Sequence, residues 1–260
     1  MGEGRPRRAP RHDRDAGGDP AVLAAKAALR EAVWSAMTAA GVARFPGAAG
    51  RIPNFVGAEA AAERLRGTPA WRRAATLKAN PDAPQWPVRQ RALEDGKTVY
   101  MAVPRLASAE PFFLLDPGRL AVAARAAASI KGATRHGIPV RIDELEPVDL
   151  VVCGSVAVDA RGARLGKGGG FSDLELALAA AAGLIGPGTV VATTVHDLQV
   201  RPVGEIPMTA HDAWLDLVVT PTRVIACRRP ARRLPRLVWE ELTAEKVEAI
   251  PALRRLRPAP

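Results

Sequence analysis

Residues 161–185, RGARLGKGGGFSDLELALAAAAGLI, decide how the rest of the chain is read. They run from a hairpin-like turn through a glycine loop into an alanine-rich helix. Just upstream, residues 151–158 (VVCGSVAV) are apolar enough for a buried strand, which places the glycines where a strand hands over to a helix. Gly166, Gly168, Gly169 and Gly170 carry no Cβ, so the backbone there can take positive φ and bring N–H groups close to an anion. Ser172 stands three residues before Glu175, the spacing of a capping box, and Asp173 falls in the first helical turn. A helix starting here aims its N-terminal N–H groups and the positive end of its dipole at the glycine loop, beside the formal charges of Arg164 and Lys167. A tight turn with no ligand accounts for the same glycines, and the string is neither a Walker loop nor the dinucleotide fingerprint. Spacing alone leaves both readings open.

The whole chain sets the bounds. Its 260 residues, 48% of them hydrophobic, suffice for one sizeable core. No run of ~20 apolar residues argues for a membrane span, and no apolar N-terminal region argues for secretion. Cys153 and Cys227 are too few for a disulfide framework or a cysteine–histidine metal site, and they read as small buried hydrophobes in a cytoplasmic protein. A net charge of +10 would attract polyanions, whether RNA or a nucleotide with a polyglutamated ligand. Arginine supplies most of the basic residues in a chain rich in alanine, glycine and proline, so GC-rich codon usage explains the charge equally well.

Three segments are expected: a disordered tail over residues 1–20, which includes His12, an α/β domain over 21–227, and a basic linker with a C-terminal helix over 228–260. Residues 21–40 form a helix, with Lys26 and Arg30 one turn apart on one face. Further helices are expected at 57–66, 68–77, 89–95 and 118–129, and the three prolines of 79–90 make that stretch a loop. Strands are expected at 97–103, 112–115, 138–142, 148–158 and 189–195. This alternation predicts an α/β fold, a largely parallel sheet with helices on both faces. His196 and Gln199 follow the last of these strands, at the sheet edge where ligands bind. His196 reads either as an acid–base group or as a hydrogen-bonded structural residue. His211 and Asp212 are neighbours in sequence and make no dyad. Five arginines crowd residues 228–236, and residues 239–250 form a final amphipathic helix.

RGARLGKGGGFSD resembles the G-x-R-L-G-x-G-x-G-Tyr-Tyr-Asp signature of the 5-formyltetrahydrofolate cyclo-ligase (methenyltetrahydrofolate synthetase) family. RIPNFVGAEAA (51–61), VDLVVCGSVAV (148–158), TVHDLQV (194–200), VVTPTRVIAC (218–227) and WEELTAEKVEAIPALRRL (239–256) extend the resemblance from Lys26 to Leu256. It is closest to the methenyltetrahydrofolate-synthetase-domain-containing branch. The resemblance implies a fold of the NagB/RpiA/CoA-transferase-like kind. It also implies ATP-dependent conversion of 5-formyltetrahydrofolate to 5,10-methenyltetrahydrofolate with Mg²⁺. Carried over residue by residue, Lys26, Arg30, Arg164, Gly166, Lys167, Gly168, Gly169 and Gly170 would bind ATP, with Arg164 and Lys167 neutralising charge during catalysis. Phe55, Glu59 and Phe171 would meet the folate, Asp173 would hold Mg²⁺, and Gln199 matches a family glutamine. Phe171-Ser172 replaces Tyr-Tyr, Leu174 replaces a basic residue, and Gly154-Ser155 and Val158 replace a Pro-Gly and a phenylalanine. These departures keep two other readings beside the enzyme: an RNA-associated protein using residues 228–236, and a nucleotide-binding protein without turnover.

Overall fold

The structure, a computed structural model, describes residues 19–103, 106, 108–210, 212–228 and 235–257. The tail over residues 1–18 with His12, His211, and residues 229–234 of the basic linker lie outside the described residues. Helix α1 is Pro20–Ala39, followed by α2 (Ala58–Arg66), α3 (Pro69–Arg73), strand β1 (Thr76–Ala79), α4 (Trp86–Glu94), β2 (Thr98–Ala102) and β3 (Phe112–Leu115). Then come α5 (Ala124–Ala127), α6 (Ile130–His136), β4 (Ile138–Val140), β5 (Leu150–Cys153), β6 (Ala157–Asp159), β7 (Arg164–Leu165) and α7 (Phe171–Ala181). The last elements are β8 (Val190–Thr194), β9 (Val200–Arg201), β10 (Leu217–Val219), β11 (Val224–Ala226), α8 (Ala244–Ala249) and α9 (Pro251–Leu256).

The main sheet runs β11-β10-β8-β5-β1-β2-β3-β4. The five strands from β10 to β2 are mutually parallel, and β11, β3 and β4 join antiparallel at the edges. Alternation along each strand sends successive side chains to opposite faces. On β5, Leu150 and Val152 pack with Leu65 of α2, Val88 of α4, Ala127 of α5 and Ala133 of α6. Val151 and Cys153 face the other way, toward Leu174 and Leu178 of α7 and Val247 and Leu253 of α8 and α9. The expected largely parallel sheet with helices on both faces is what forms. No helix among the described residues is long and apolar enough to cross a membrane.

Several boundaries differ from the sequence expectation. Residues 148–158 are not one strand: β5 ends at Cys153, and β6 belongs to a separate sheet, β7-β6-β9. The glycine loop therefore follows a short hairpin of the small sheet. Helix α1 covers this sheet, packing Leu29, Val33 and Met37 against Val156, Ala163 and Leu165. The central strand β1 lies where a helix and then a loop are expected, because its four-residue TLKA run carries a lysine and shows no alternation. Helix α4 starts at Trp86 because Pro87 is tolerated in a first helical turn. The expected helix at 118–129 reduces to α5, with α6 added after it. The helix expected at 239–250 is shortened to α8, which starts after the Thr243 cap while Trp239–Glu241 forms a single 3-10 turn, and a separate α9 begins at Pro251.

Candidate phosphate site at the glycine loop

The loop over residues 166–170 is open to solvent and ends at the N-cap of α7, Gly170, whose φ of 66° favours glycine. No side chain caps this helix. The capping box expected from Ser172 and Glu175 does not form, because the N-cap is Gly170, two residues before Ser172. Instead Ser172 Oγ lies 3.4 Å from Asn80 Oδ1. Glu175 is buried, hydrogen-bonded by Lys78, and accepts from Asn80 Nδ2 at 3.0 Å. Burial holds the Glu175 pKa above its ordinary value, with Lys78 acting against the shift.

Helix α1 comes to the loop from the far end of the sequence. Arg30 Nε donates to the Gly166 carbonyl at 2.8 Å. One turn earlier, Lys26 Nζ donates to Asp212 Oδ2 at 2.5 Å, and the same oxygen accepts from the Thr209 amide at 2.7 Å and its hydroxyl at 2.8 Å. Lys26 and Arg30 are both buried at this junction. Lys167 differs: its side chain is 50% exposed, and its ammonium donates to Asp82 Oδ1 at 3.2 Å. A long, weakly seated ion pair at the surface is readily exchanged for a ligand anion.

Arg164 is only 2% exposed and turns inward. Its Nη2 donates to both carboxylate oxygens of Asp173 at 2.6 Å, and its Nη1 donates to the Gly154 carbonyl at 2.9 Å. Burial opposes the guanidinium charge, but Asp173 outweighs it and keeps Arg164 protonated. Asp173 Oδ1 also accepts from the Ala213 amide at 3.0 Å. Arg164 and Asp173, which the resemblance assigns to phosphate and Mg²⁺, thus spend their charges on each other. They clamp β7, α7 and the segment through Ala213. No group of three or more His, Cys, Asp and Glu suited to a metal ion occurs among the described residues. Mg²⁺ does not fit at Asp173 as the residue stands.

Sequence reasoning missed the contribution of β1. Lys78 lies within it, and Asn80 and Asp82 follow its carboxyl end, on the edge where parallel α/β sheets take ligands. Arg89 of α4 shapes this turn from beneath: its guanidinium donates to the carbonyls of Asn80, Pro81 and Asp82. Burial pushes the Arg89 pKa down to about 10, with Asp82 opposing the shift. Gly154 lets this turn close on β5, since a Cβ there would stand 2.8 Å from Asp82 Oδ2 and 3.0 Å from Ile52. The detectable signal was the polar Asn-Pro-Asp run directly after β1.

Other expected residues sit elsewhere. Phe55 is fully buried against the α1 face and meets the His196 ring edge-on, so it has no surface to offer a folate. Glu59 points to solvent and pairs with Arg44 at 3.2 Å. His196 Nδ1 accepts from the Leu198 amide, and Gln199 donates to the carbonyls of Ser155 and Val156. Both are held in structural bonds. Phe171 lies at the mouth of the loop, half-buried.

The sequence profile of the 5-formyltetrahydrofolate cyclo-ligase family matches residues 22–221. The chain belongs to this family. Among curated relatives, a bovine (Bos taurus) methenyltetrahydrofolate synthase domain-containing protein is 39% identical over 243 residues, which is 92% of this chain. Its mouse (Mus musculus) counterpart is 40% identical over 236 residues, 89% of this chain. The chain spans 63% of the length of these relatives. The solved structure of Aquifex aeolicus 5,10-methenyltetrahydrofolate synthetase superposes with a TM-score of 0.50 at 20% identity, covering 82% of this chain and 97% of that one. That likeness shows a shared cyclo-ligase fold.

Proposed function

We propose that the glycine loop binds the triphosphate of ATP and that the protein converts 5-formyltetrahydrofolate, or a close variant of it, to the 5,10-methenyl form. One observation carries this reading. Arg30 reaches a glycine-loop carbonyl from 136 residues away, so that a cationic helix face, Lys167 and the N-terminus of α7 meet at one open loop. Phosphate chemistry of this kind needs positioning and charge neutralisation more than a protein nucleophile. In the reaction, the formyl oxygen attacks the γ-phosphorus and ADP leaves. N10 then closes onto the activated carbon, and the oxygen departs with phosphate. Lys167 exchanges Asp82 for the phosphate, residues 168–170 offer backbone N–H groups, and Arg164 holds the loop in place rather than touching the ligand.

Mg²⁺, in this reading, enters on the triphosphate and is held by phosphate oxygens. The names of the bovine and mouse relatives and of the Aquifex synthetase support the folate substrate. Phe171 and Ser172 remove two phenolic hydroxyls from the folate side, which is why the substrate is stated as 5-formyltetrahydrofolate or a close variant.

The test is absorbance in the methenyl-folate band with ATP, Mg²⁺ and 5-formyltetrahydrofolate. A rise is expected with the native chain and none with Lys167→Ala. Absence of a rise while ATP still raises the melting temperature would leave a nucleotide-binding protein without turnover. Absence of both would end the reading. No observation among the described residues favours RNA, and residues 229–234 of the basic cluster lie outside them.

A further inference from the structure

Lys167 leaves a carboxylate behind when it turns to a phosphate. Its partner Asp82 stands in the turn after β1, and their 3.2 Å contact joins that turn to the glycine loop across 85 residues. Once the lysine is drawn to a triphosphate, Asp82 faces a multiply charged anion without its counter-charge. Two anions so placed repel one another unless a cation stands between them.

The fold fixes the position of Asp82. Arg89 is buried beneath the turn, and its guanidinium donates to the carbonyls of Asn80, Pro81 and Asp82. Gly154, just past β5, makes room for the carboxylate, since a Cβ there would stand 2.8 Å from Asp82 Oδ2.

The other carboxylates around the loop are held more firmly. Glu175 is buried with Lys78, Asp173 accepts from Arg164 at 2.6 Å, and Asp212 accepts from Lys26 at 2.5 Å. Asp82 is 18% exposed and meets a lysine that is itself 50% exposed. Mg²⁺ takes hard oxygen ligands, commonly one or two carboxylates together with substrate phosphates. Asp173 does not suit that donor set, because Arg164 bonds both of its oxygens. Asp82 suits it: a carboxylate on a fixed turn, beside the loop that takes the phosphates, with a partner that ligand binding removes.

We propose that Asp82 is the carboxylate with which this chain holds the Mg²⁺ of a bound triphosphate, while Lys167 takes the phosphate itself. This rests on the glycine-loop reading given above and adds to it the residue that makes binding depend on the metal.

The test is calorimetric titration of the full chain with ATP, once with a chelator and once with excess Mg²⁺, repeated on Asp82→Asn and Asp82→Glu. Unliganded melting temperatures are measured alongside. The quantity read is the gain in ATP affinity that Mg²⁺ brings to each chain. We expect this gain to be about tenfold larger in the native chain than in Asp82→Asn, the worth of one charge-assisted contact, and Asp82→Glu to keep most of it. Metal-free ATP should bind Asp82→Asn more tightly than the native chain, because a repelling charge and a competitor for Lys167 are both gone. An equal gain in the native chain and Asp82→Asn overturns the metal role and leaves the glycine-loop reading intact. A gain lost equally in Asp82→Glu overturns it as well, by showing that the charge is not what matters. A native chain that binds ATP under neither condition ends both inferences together.

Discussion

Two lysine–carboxylate pairs lie on the same sheet edge and differ chiefly in their access to water. Lys78 and Glu175 are almost wholly buried, their side chains 2% and 6% exposed, and Asn80 satisfies Glu175 further. Lys167 and Asp82 are 50% and 18% exposed, with a longer contact. In the buried pair, removing one charge leaves the other without water, so the pair is fixed architecture beneath α7. In the exposed pair, either partner can be replaced by solvent or by an arriving anion at little cost. The same two functional groups thus serve as a rivet in one place and as a latch in the other.

The sharpest way to break this comparison is Lys78→Met. It should destabilise the protein by about 3–5 kcal/mol in chemical denaturation, whereas adding Glu175→Leu should recover most of the loss. A small effect from the single change would show that Glu175 is not held as a charge. The Arg66–Asp95 pair provides an intermediate case: Asp95 is 20% exposed, takes two bonds from Arg66, and accepts from Trp71 Nε1 at 2.8 Å. Burial acts to raise the Asp95 pKa, but Arg66 and Trp71 together hold it below its ordinary 3.8. Asp95→Asn should cost about 1 kcal/mol at neutral pH, allowing for solvent screening. Because the folded pKa is depressed, the difference from the native chain should be full above pH 3.8 and close as pH falls through the folded value. A gap that widens on acidification would contradict the assignment. Lys167→Ala should shift stability least, within about 0.5 kcal/mol, while lowering ATP affinity about tenfold.

The rivet was invisible in the sequence and the latch was legible. Lys167 belongs to a continuous glycine string whose spacing advertises an anion site, and Lys26 and Arg30 mark one helix face by their four-residue separation. Lys78 has no such local frame. Its partner lies 97 residues away, and the strand that holds it is four residues long with every position buried. A lysine inside so short a run reads as solvent-facing until the buried glutamate is known. The capping-box spacing of Ser172 and Glu175 misled for the same reason: Glu175 answers to Lys78 across the core instead of to its own helix start. Arg164 and Asp173 were visible as a cation and an acid in the right motif. Only the fold shows them neutralising one another at 2.6 Å. Lys246 belongs to the 239–256 segment that extends the resemblance, but only the docking of α8 on α7 brings it to Phe171.

The contacts that assemble the site also set a schedule. Arg30 meets the glycine loop across 136 residues, and Lys26 meets Asp212 across 186. Pairings of such long range are late and slow events in folding, since loop closure must precede any gain from the contact. During synthesis, the apolar face of α1 can pack early on Ala48, Ile52 and Phe55, whereas Arg30 and Lys26 wait through most of translation before Gly166 and Asp212 exist. The ligand can therefore act as a judge of the finished fold but not as its template: nucleotide should slow unfolding of the complete protein and leave the early steps of folding untouched.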